Sequence, residues 1–559
     1  MSEHPTPLQR LQQLVQLEHE DITTLIIYGL GIGFLSLATP IAVQALVNTV
    51  AFGALFQPLL VLTLVLLILV AFSNTLAALQ FYVVEMLQRR LFVRLFDTVA
   101  QRLQRAEFSQ RDQQHLPELS NRFFDVVTLQ KTAAVILLET LGYALQTLIG
   151  MILLAFYHPA LLGLDLFIVA MLAVILFVMG KRGVSTAIEQ SKAKYTAAAW
   201  LENVANNALL GKSDHNRAFL QKRTEQIAQY YLDACVQHFR ILARQNVGAL
   251  ILHAVTNTLL LGLGGWMVIE RQLSLGQLIA AELVVNAMIY GLTRLGKMLD
   301  NFYDLLTSLD KIGHLLDLPQ ENLAGAPPKP ATQAYSVELH NISLPQSPYL
   351  DALQNIDLRI EPGQSVVISH GSAHGSLFEL LFGLRAPCSG YIYLDQQDLR
   401  DLNLGYLRNN IALVRDQEIM TGTIAENLAL GHPLDLATQQ NVLQQVGLLD
   451  IIVKLPAGLN THLHHHGMPL TQEQCLRLCL ARAMSMQPRL LLLDRVLDRI
   501  DPNCLANLLP VLCAANAPWT LIVSSQKNDV IAACNRHLRL ENGKIAEIGR
   551  NQEDRDVRI

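Results

Sequence analysis

Residues 366–376 read VVISHGSAHGS. An apolar, β-rich run (SVVIS) ends here, a glycine-bearing turn follows, and the helix-like SLFELLFGL begins. Strand, glycine loop and helix in that order are the setting in which backbone N–H groups cradle a phosphate. A working loop of this type closes on Gly-Lys-Ser/Thr, with Lys on the β- and γ-phosphates and the hydroxyl on Mg²⁺. The register set by the following helix puts His374 at the lysine position and Gly375 at the hydroxyl position, with Ser376 next. Gly371 and Gly375 still leave backbone N–H groups to face a phosphate. A neutral His374 supplies one donor and no fixed charge.

Working outward, the chain of 559 residues is too long for one ordinary domain. Hydrophobic residues make up 51% and charged residues 16%, against about 45–50% and 25% for soluble proteins. Part of the chain is therefore expected in a membrane. The net charge of −5 is mild and argues against a nucleic-acid partner. The seven cysteines are scattered and read as reduced core thiols. The first 20 residues are polar and amphipathic, unlike a signal peptide.

Six apolar stretches, at about 24–48, 58–83, 133–156, 160–180, 246–270 and 275–292, approach the ~20 residues that cross a bilayer as a helix. YHPA alone separates the third from the fourth, which predicts a tight helical hairpin. Eight Lys or Arg residues fall in 83–132 and ten in 181–245, whereas the connections near 49–57 and 157–160 carry none. Positive residues collect on the cytoplasmic side, so both long segments and both termini are expected there. The long segments keep helical periodicity (LFVRLFDTVAQRLQRAEF) and read as extensions of the spans. Residues 318–335 (LPQENLAGAPPKPATQAY) read as a linker. Beyond it, β-rich runs alternate with helical ones, which predicts an α/β domain with a largely parallel sheet. The expected division is 1–317 for the membrane part, 318–335 for the linker and 336–559 for the α/β part.

This organisation resembles a half-transporter of the ABC exporter family: an α-helical membrane domain of six transmembrane helices fused to an α/β P-loop NTPase-like domain. LTQEQCLRLCLARAMSMQPRLLLLD at 470–494 is similar to the family's signature helix and Walker B strand. TGTIAENLALG at 421–431, DPN at 501–503 and LRLENGKIAEIG at 538–549 follow the family order. ATPIAVQALVNTV at 38–50 is similar to the first helix of toxin and bacteriocin exporters of type I secretion. About 20 residues precede the first span, so the N-terminal peptidase domain of some such exporters is not expected. The segments around 112–122 and 202–214 match the positions of the family's coupling helices.

The resemblance implies that ATP is held between the Walker motifs of one domain and the signature of another. Walker A has His374 and Gly375 in place of Lys and hydroxyl. Walker B keeps Asp494, but the catalytic Glu position holds Arg495, a permanent cation. Arg495 is expected to pair with Asp494 or Asp498. The Q-loop position holds Arg415, the histidine-switch position Gln526, and the adenine-stacking position Gln346, with Tyr349 nearby. The signature is Leu470-Thr471-Gln472-Glu473-Gln474: the hydroxyl and one amide remain, both glycines are gone, and Glu473 adds bulk and negative charge where phosphate would approach. Asp501 opens the D-loop. Together these imply a degenerate nucleotide-binding domain with no catalytic residues, no certain cofactor and weak or absent ATP/Mg²⁺ binding.

His462, His464, His465 and His466 crowd the stretch THLHHHG. Imidazoles bind Zn²⁺ or Cu²⁺, but adjacent side chains seldom converge on one ion, so a polar surface loop is the expected reading. Glu139 and Asp165, near span ends, are expected at an interface, and Glu282 is the candidate for a cavity. The whole reads as a noncatalytic (pseudo-ATPase) exporter half in a bacterial inner membrane. It is expected to pair with itself or another half to move a peptide, protein or other amphiphile, with other secretion components as further partners. The alternative is a homodimeric scaffold or receptor that no longer uses ATP.

Overall fold

The computed structural model describes residues 5–51, 56–109, 119, 121–330, 333–346, 351–369 and 374–548. They divide into two compact units. One holds the described residues up to 106 and from 119 to 319; the other holds 107–109 and those from 320 on. The coupling-segment expectation at 112–118, the loop residue Gly371 and Tyr349 lie outside the described residues.

The first unit is helical. It begins with α1 (Pro7–Leu17), opened by Thr6, whose hydroxyl accepts from the Gln9 N–H while the Gln9 side chain accepts from Thr6 N–H. Next come α2 (His19–Ser36), α3 (Ala38–Ala51), α4 (Phe56–Gln104), α5 (Asp125–Val135), α6 (Leu141–Tyr157), α7 (Pro159–Ala173) and α8 (Gly183–Asn206). α9 (Asp214–Ile269), α10 (Leu275–Thr293) and α11 (Leu295–Leu316) complete it. Two π-helical turns, Ile136–Thr140 and Val174–Met179, continue the lines of α5–α6 and α7. Among the described residues, five helical stretches are long and apolar enough to cross a membrane: His19–Asn48, Gln57–Gln104, Arg122–Tyr157, Pro159–Met179 and Asp214–Ile269; Leu275–Met288 is a shorter apolar helix.

Length and burial explain this pattern. At about 1.5 Å per residue, the 49-residue α4 and 56-residue α9 are more than twice as long as a ~30 Å hydrocarbon layer requires. They must therefore run well past it as helix. In α4 the apolar Leu60, Val61, Leu64, Leu67 and Ile68 are exposed in the unit, and lipid is the solvent that accepts such a face. Inward faces use small residues: Gly29 and Gly33 of α2 lie against Leu145 and Ile149 of α6 so closely that an added Cβ would sit 2.7 and 2.6 Å from their methyls.

Among the charges within the spans, Asp165 departs from expectation. Asp165 is buried inside its own unit, 2% exposed, rather than at an interface, because it faces the same way as Leu161 and Ile168 on α7. Glu282, the cavity candidate, is exposed. Glu139 is half-buried and faces Arg294 at 3.8 Å.

The second unit is α/β. Its main sheet is six-stranded, in the order β12 (Lys544–Glu547), β11 (Arg536–Glu541), β3 (Ser365–Ser369), β10 (Thr520–Ser524), β9 (Leu490–Asp494), β6 (Ile411–Val414). All neighbours are parallel except β11–β12. Every residue of β3, β9 and β10 is buried, which is why SVVIS, LLLLD and TLIVS read as unbroken apolar runs. A second sheet orders β2 (Leu353–Ile360), β1 (Val337–Leu344), β4 (Ser389–Leu394) and β5 (Gln397–Asp398); β7 (Gly422–Thr423) pairs with β8 (His462–Leu463). Helix α12 (His374–Leu381) follows β3, and α13 (Gln472–Ser485) precedes β9. Leu377, Phe378, Leu380 and Leu381 of α12 seal one core against β3 and β9; Leu476, Leu478 and Leu480 of α13 seal the other.

Candidate functional site

The carboxyl ends of β3, β6, β9 and β10 meet at one edge of the main sheet, where crevices of parallel sheets form. Asp494 closes β9 there. Its Oδ1 accepts from the Ser524 hydroxyl of β10 at 3.0 Å, and Ser524 Oγ accepts from the Arg495 N–H at 2.8 Å. Across from it, the first turn of α12 presents Gly375 and Ser376. The Ser376 hydroxyl donates to the Asp351 carbonyl at 3.2 Å and is buried. A Cβ added at Gly375 would lie 3.7 Å from Arg415 Nη2 and 3.8 Å from Asp494 Oδ2. A hydroxyl side chain at this position would thus face Asp494, as a shared metal ligand must.

Arg415, just past β6, occupies that space. Its Nε donates to Asp494 Oδ2 at 2.7 Å, its Nη1 to Glu379 Oε1 at 2.7 Å and its Nη2 to the Gly375 carbonyl at 3.0 Å. Glu379 also accepts from Arg385 Nε at 2.5 Å. The Glu379 and Asp494 side chains are 8% and 7% exposed and Arg415 is 27% exposed, so the network is largely desolvated. Burial opposes the Arg415 charge, but the Glu379 hydrogen bond and the charges of Asp494 and Glu379 outweigh it and raise its pKa. Three donors of one planar fork are spent on three acceptors, an arrangement a lysine ammonium would not hold in one plane.

The ion pair expected of Arg495 is absent among the described residues. Asp494 is paired with Arg415, Asp498 accepts from the Ser525 hydroxyl and the Gln526 N–H, and the Arg495 side chain is exposed. The reason is local backbone: Arg495 adopts a left-handed φ of 55°, which turns the chain sharply after β9. Gln526 is exposed after β10. Asp501 caps helix Pro502–Leu512 by accepting from the Asn503 N–H at 2.9 Å. Gln346 is exposed.

Leu470 is buried, and Thr471 opens α13 as its N-cap. The Thr471 hydroxyl accepts from the Gln474 N–H at 3.2 Å, and Gln474 Oε1 accepts from the Thr471 N–H at 2.9 Å. The oxygens of the two polar groups the sequence retains are thereby engaged in a capping box. Glu473 accepts from Arg477 at 2.8 Å and from the Asp501 N–H at 3.4 Å. Buried Arg477 donates as well to the carbonyls of Val446 and Gly447, so the Glu473 charge is held rather than free.

His462, His464, His465 and His466 are all exposed. His462 and His464 have ring centroids 6.0 Å apart, and no three His, Cys, Asp or Glu side chains gather as a metal set among the described residues. The alternation of β8 around buried Leu463 and the turn at His466 (φ 57°) splay these rings.

The sequence reading missed Glu379, Arg385 and Ser524. Glu379 carried a usable signal: a lone carboxylate on the otherwise apolar face of SLFELLFGL demands a cation once buried. Mg²⁺ and a nucleotide do not fit the described residues well. Asp494 is already paired, Gly375 offers no hydroxyl, and Arg415 fills the space between them.

Two family models match the chain. One, the ABC transporter transmembrane region, covers residues 22–292; the other, the ABC transporter, covers 353–497. A bacterial Atm1-family ABC exporter solved with ATP bound superposes with a TM-score of 0.81 at 19% identity, over 95% of each chain. The leukotoxin export ATP-binding protein LtxB of Aggregatibacter actinomycetemcomitans is 28% identical over 303 residues, 52% of this chain and 42% of that protein. The alpha-hemolysin translocation protein HlyB of Escherichia coli is 25% identical over 56% of this chain and 46% of its own. The chain spans less than half the length of these toxin-export relatives. An uncharacterized ABC transporter ATP-binding protein of Bacillus subtilis, YknU, is 24% identical over 92% of this chain and 89% of its own.

Proposed function

We propose a noncatalytic role for this chain, which has the transmembrane domain and nucleotide-binding domain of an ABC exporter half-transporter. It is an integral membrane protein, and on our reading it is the pseudo-ATPase half of a pair. The partner is a second ABC half, either a copy of itself or a different chain, and the cargo is a peptide, protein or other amphiphile. Its site is a bacterial inner membrane with both termini cytoplasmic, as the Lys and Arg distribution suggests.

One observation carries the reading: Arg415 bridges Asp494, Glu379 and the Gly375 carbonyl. Phosphoryl transfer needs a mobile metal on the Walker B carboxylate and a placed cation on the γ-phosphate. Here the carboxylate is neutralised by a residue of its own chain, and the lysine and catalytic glutamate positions hold His374 and Arg495. A second reading, a scaffold or receptor that has left ATP behind, is favoured by one further contact set. The Thr471–Gln474 capping box leaves little of the signature for a partner to use.

The test is hydrolysis by the purified full-length chain, alone and with a copurified ATPase half. Alone it should show no Mg²⁺-dependent turnover, and Asp494→Asn should leave the rate of the pair unchanged. Turnover by the chain alone that vanishes in Asp494→Asn overturns the proposal. Transport that proceeds equally well without this chain favours the scaffold reading.

A further inference from the structure

Asp165 and Thr256 are unexplained by any role in nucleotide chemistry. Asp165 lies within α7, buried, and neither carboxylate oxygen has a hydrogen-bond partner among the described residues. Thr256 on α9 is 0% exposed, and its hydroxyl is equally unpartnered.

The two lie on helices that share one core. Leu161, Leu164 and Ile168 of α7 share one core cluster with Leu252 and Leu260 of α9. Thr256 lies midway between those leucines on the buried stripe of α9, as Asp165 does between Leu161 and Ile168 on α7. The helices run antiparallel: Arg244 donates to the Met179 carbonyl and Gln245 to the Ile175 carbonyl. Counted from the Gln245–Ile175 bond, Asp165 and Thr256 lie roughly 15 and 16 Å along their helices. They therefore stand at a similar level on neighbouring helices.

No cation serves the carboxylate. Among the elements packed against it, α6 contributes Tyr143, set against Tyr290, and Tyr157, whose hydroxyl donates to Gln44 at 2.6 Å. α9 contributes half-buried His253, whose ring meets Asn257 at 3.4 Å. α10 contributes exposed Glu282 and Tyr290. Neither α6, α7, α10 nor α9 beyond Gln245 carries a Lys or Arg. A bare carboxylate in that setting loses its hydration with nothing to replace it. A carboxyl group that keeps its proton carries no charge, and its burial costs far less than a carboxylate's.

We infer that Asp165 is a proton-binding site inside the membrane domain: the carboxyl holds a proton while α7 and α9 are packed and releases it to water when they part. The inference is independent of whether the nucleotide site works. Opening of this helix pair then carries a proton-release step, and a lower external pH favours the packed arrangement.

The test is infrared spectroscopy of the full chain in lipid nanodiscs. At neutral pH the wild type should show a protonated-carboxyl carbonyl band that is missing in Asp165→Asn. Thr256→Val should keep that band and its frequency, because the Thr256 hydroxyl makes no hydrogen bond to the carboxyl. Coincident wild-type and Asp165→Asn spectra, with both proteins folded, overturn the proposal. Loss of the band when sodium replaces choline would also overturn it, since the site would then hold a metal cation instead of a proton.

Discussion

At the scale of single residues, the site turns on whether a buried positive charge is supplied from inside or outside the chain. Arg415 supplies it from inside, and Glu379 and Asp494 depend on it. Arg415→Ala leaves two buried carboxylates without that partner, which costs about 2–3 kcal/mol given the residual exposure of the pair. Thermal unfolding of the detergent-solubilised protein should show that loss. Arg415→Lys should recover only part of it, because an ammonium cannot serve all three acceptors. Gly375→Ser should be neutral within about 0.5 kcal/mol, since its Cβ meets Arg415 and Asp494 at ordinary contact distance. Thr471→Ala removes the N-cap of α13 and should cost about 1 kcal/mol in the same assay. The departures from the family's motifs were legible once the sequence was set beside the family it resembles; the pairing was not. Arg495 sits next to Asp494 in sequence and was the natural partner on paper, but its left-handed backbone leaves it exposed. Arg415, far away in sequence, arrives through the parallel β6–β9 pairing.

Elements were more legible than contacts, for physical reasons. Strands buried on both faces announce themselves as VVI, LLLL and LIV, and spans announce themselves by length and by the absence of charge. What a one-dimensional pattern does not carry is which helix meets which, so Asp165 could be placed on a span but not inside a core. The α2–α6 contact shows how close packing resolves this. Gly33→Val puts a Cβ 2.6 Å from an Ile149 methyl and 3.8 Å from the Gln146 backbone, and should destabilise the membrane domain by about 1–3 kcal/mol; denaturant unfolding in lipid reads this. Helix α13 offers a second check. Cys475 is buried and its thiol is pushed up to about 11 by burial and by neighbouring Cys479. At pH 8 only about one Cys475 in a thousand is thiolate, the reactive form. A maleimide should therefore label exposed Cys388 and leave Cys475 unlabelled until the protein unfolds, with Cys475 labelling rising as pH is raised.

For the molecule as a whole, the decisive quantity is the side of the membrane on which its cations lie. Eighteen Lys and Arg residues fall in the two long segments between 83 and 245, and none in the turn near 157–160. Nine of these lie on α4 and α9, four on α4 and five on α9, so that share of the charge is carried on long helices that also contain apolar spans. Each cation held on the wrong side works against the bias that sets topology, so the expected orientation keeps all eighteen on the cytoplasmic side. Two positions report the outcome. Leu209, between α8 and α9, is 85% exposed, and His158 caps the α6–α7 hairpin at the opposite end of those helices. In a background freed of the native exposed thiols, Leu209→Cys should react with a membrane-impermeant maleimide only after cells are permeabilised. His158→Cys should react in intact spheroplasts. The opposite pattern would reverse the orientation and place the α/β unit outside the cell. No nucleotide would reach it there, so the altered phosphate loop would need a different explanation from a retired ATP site.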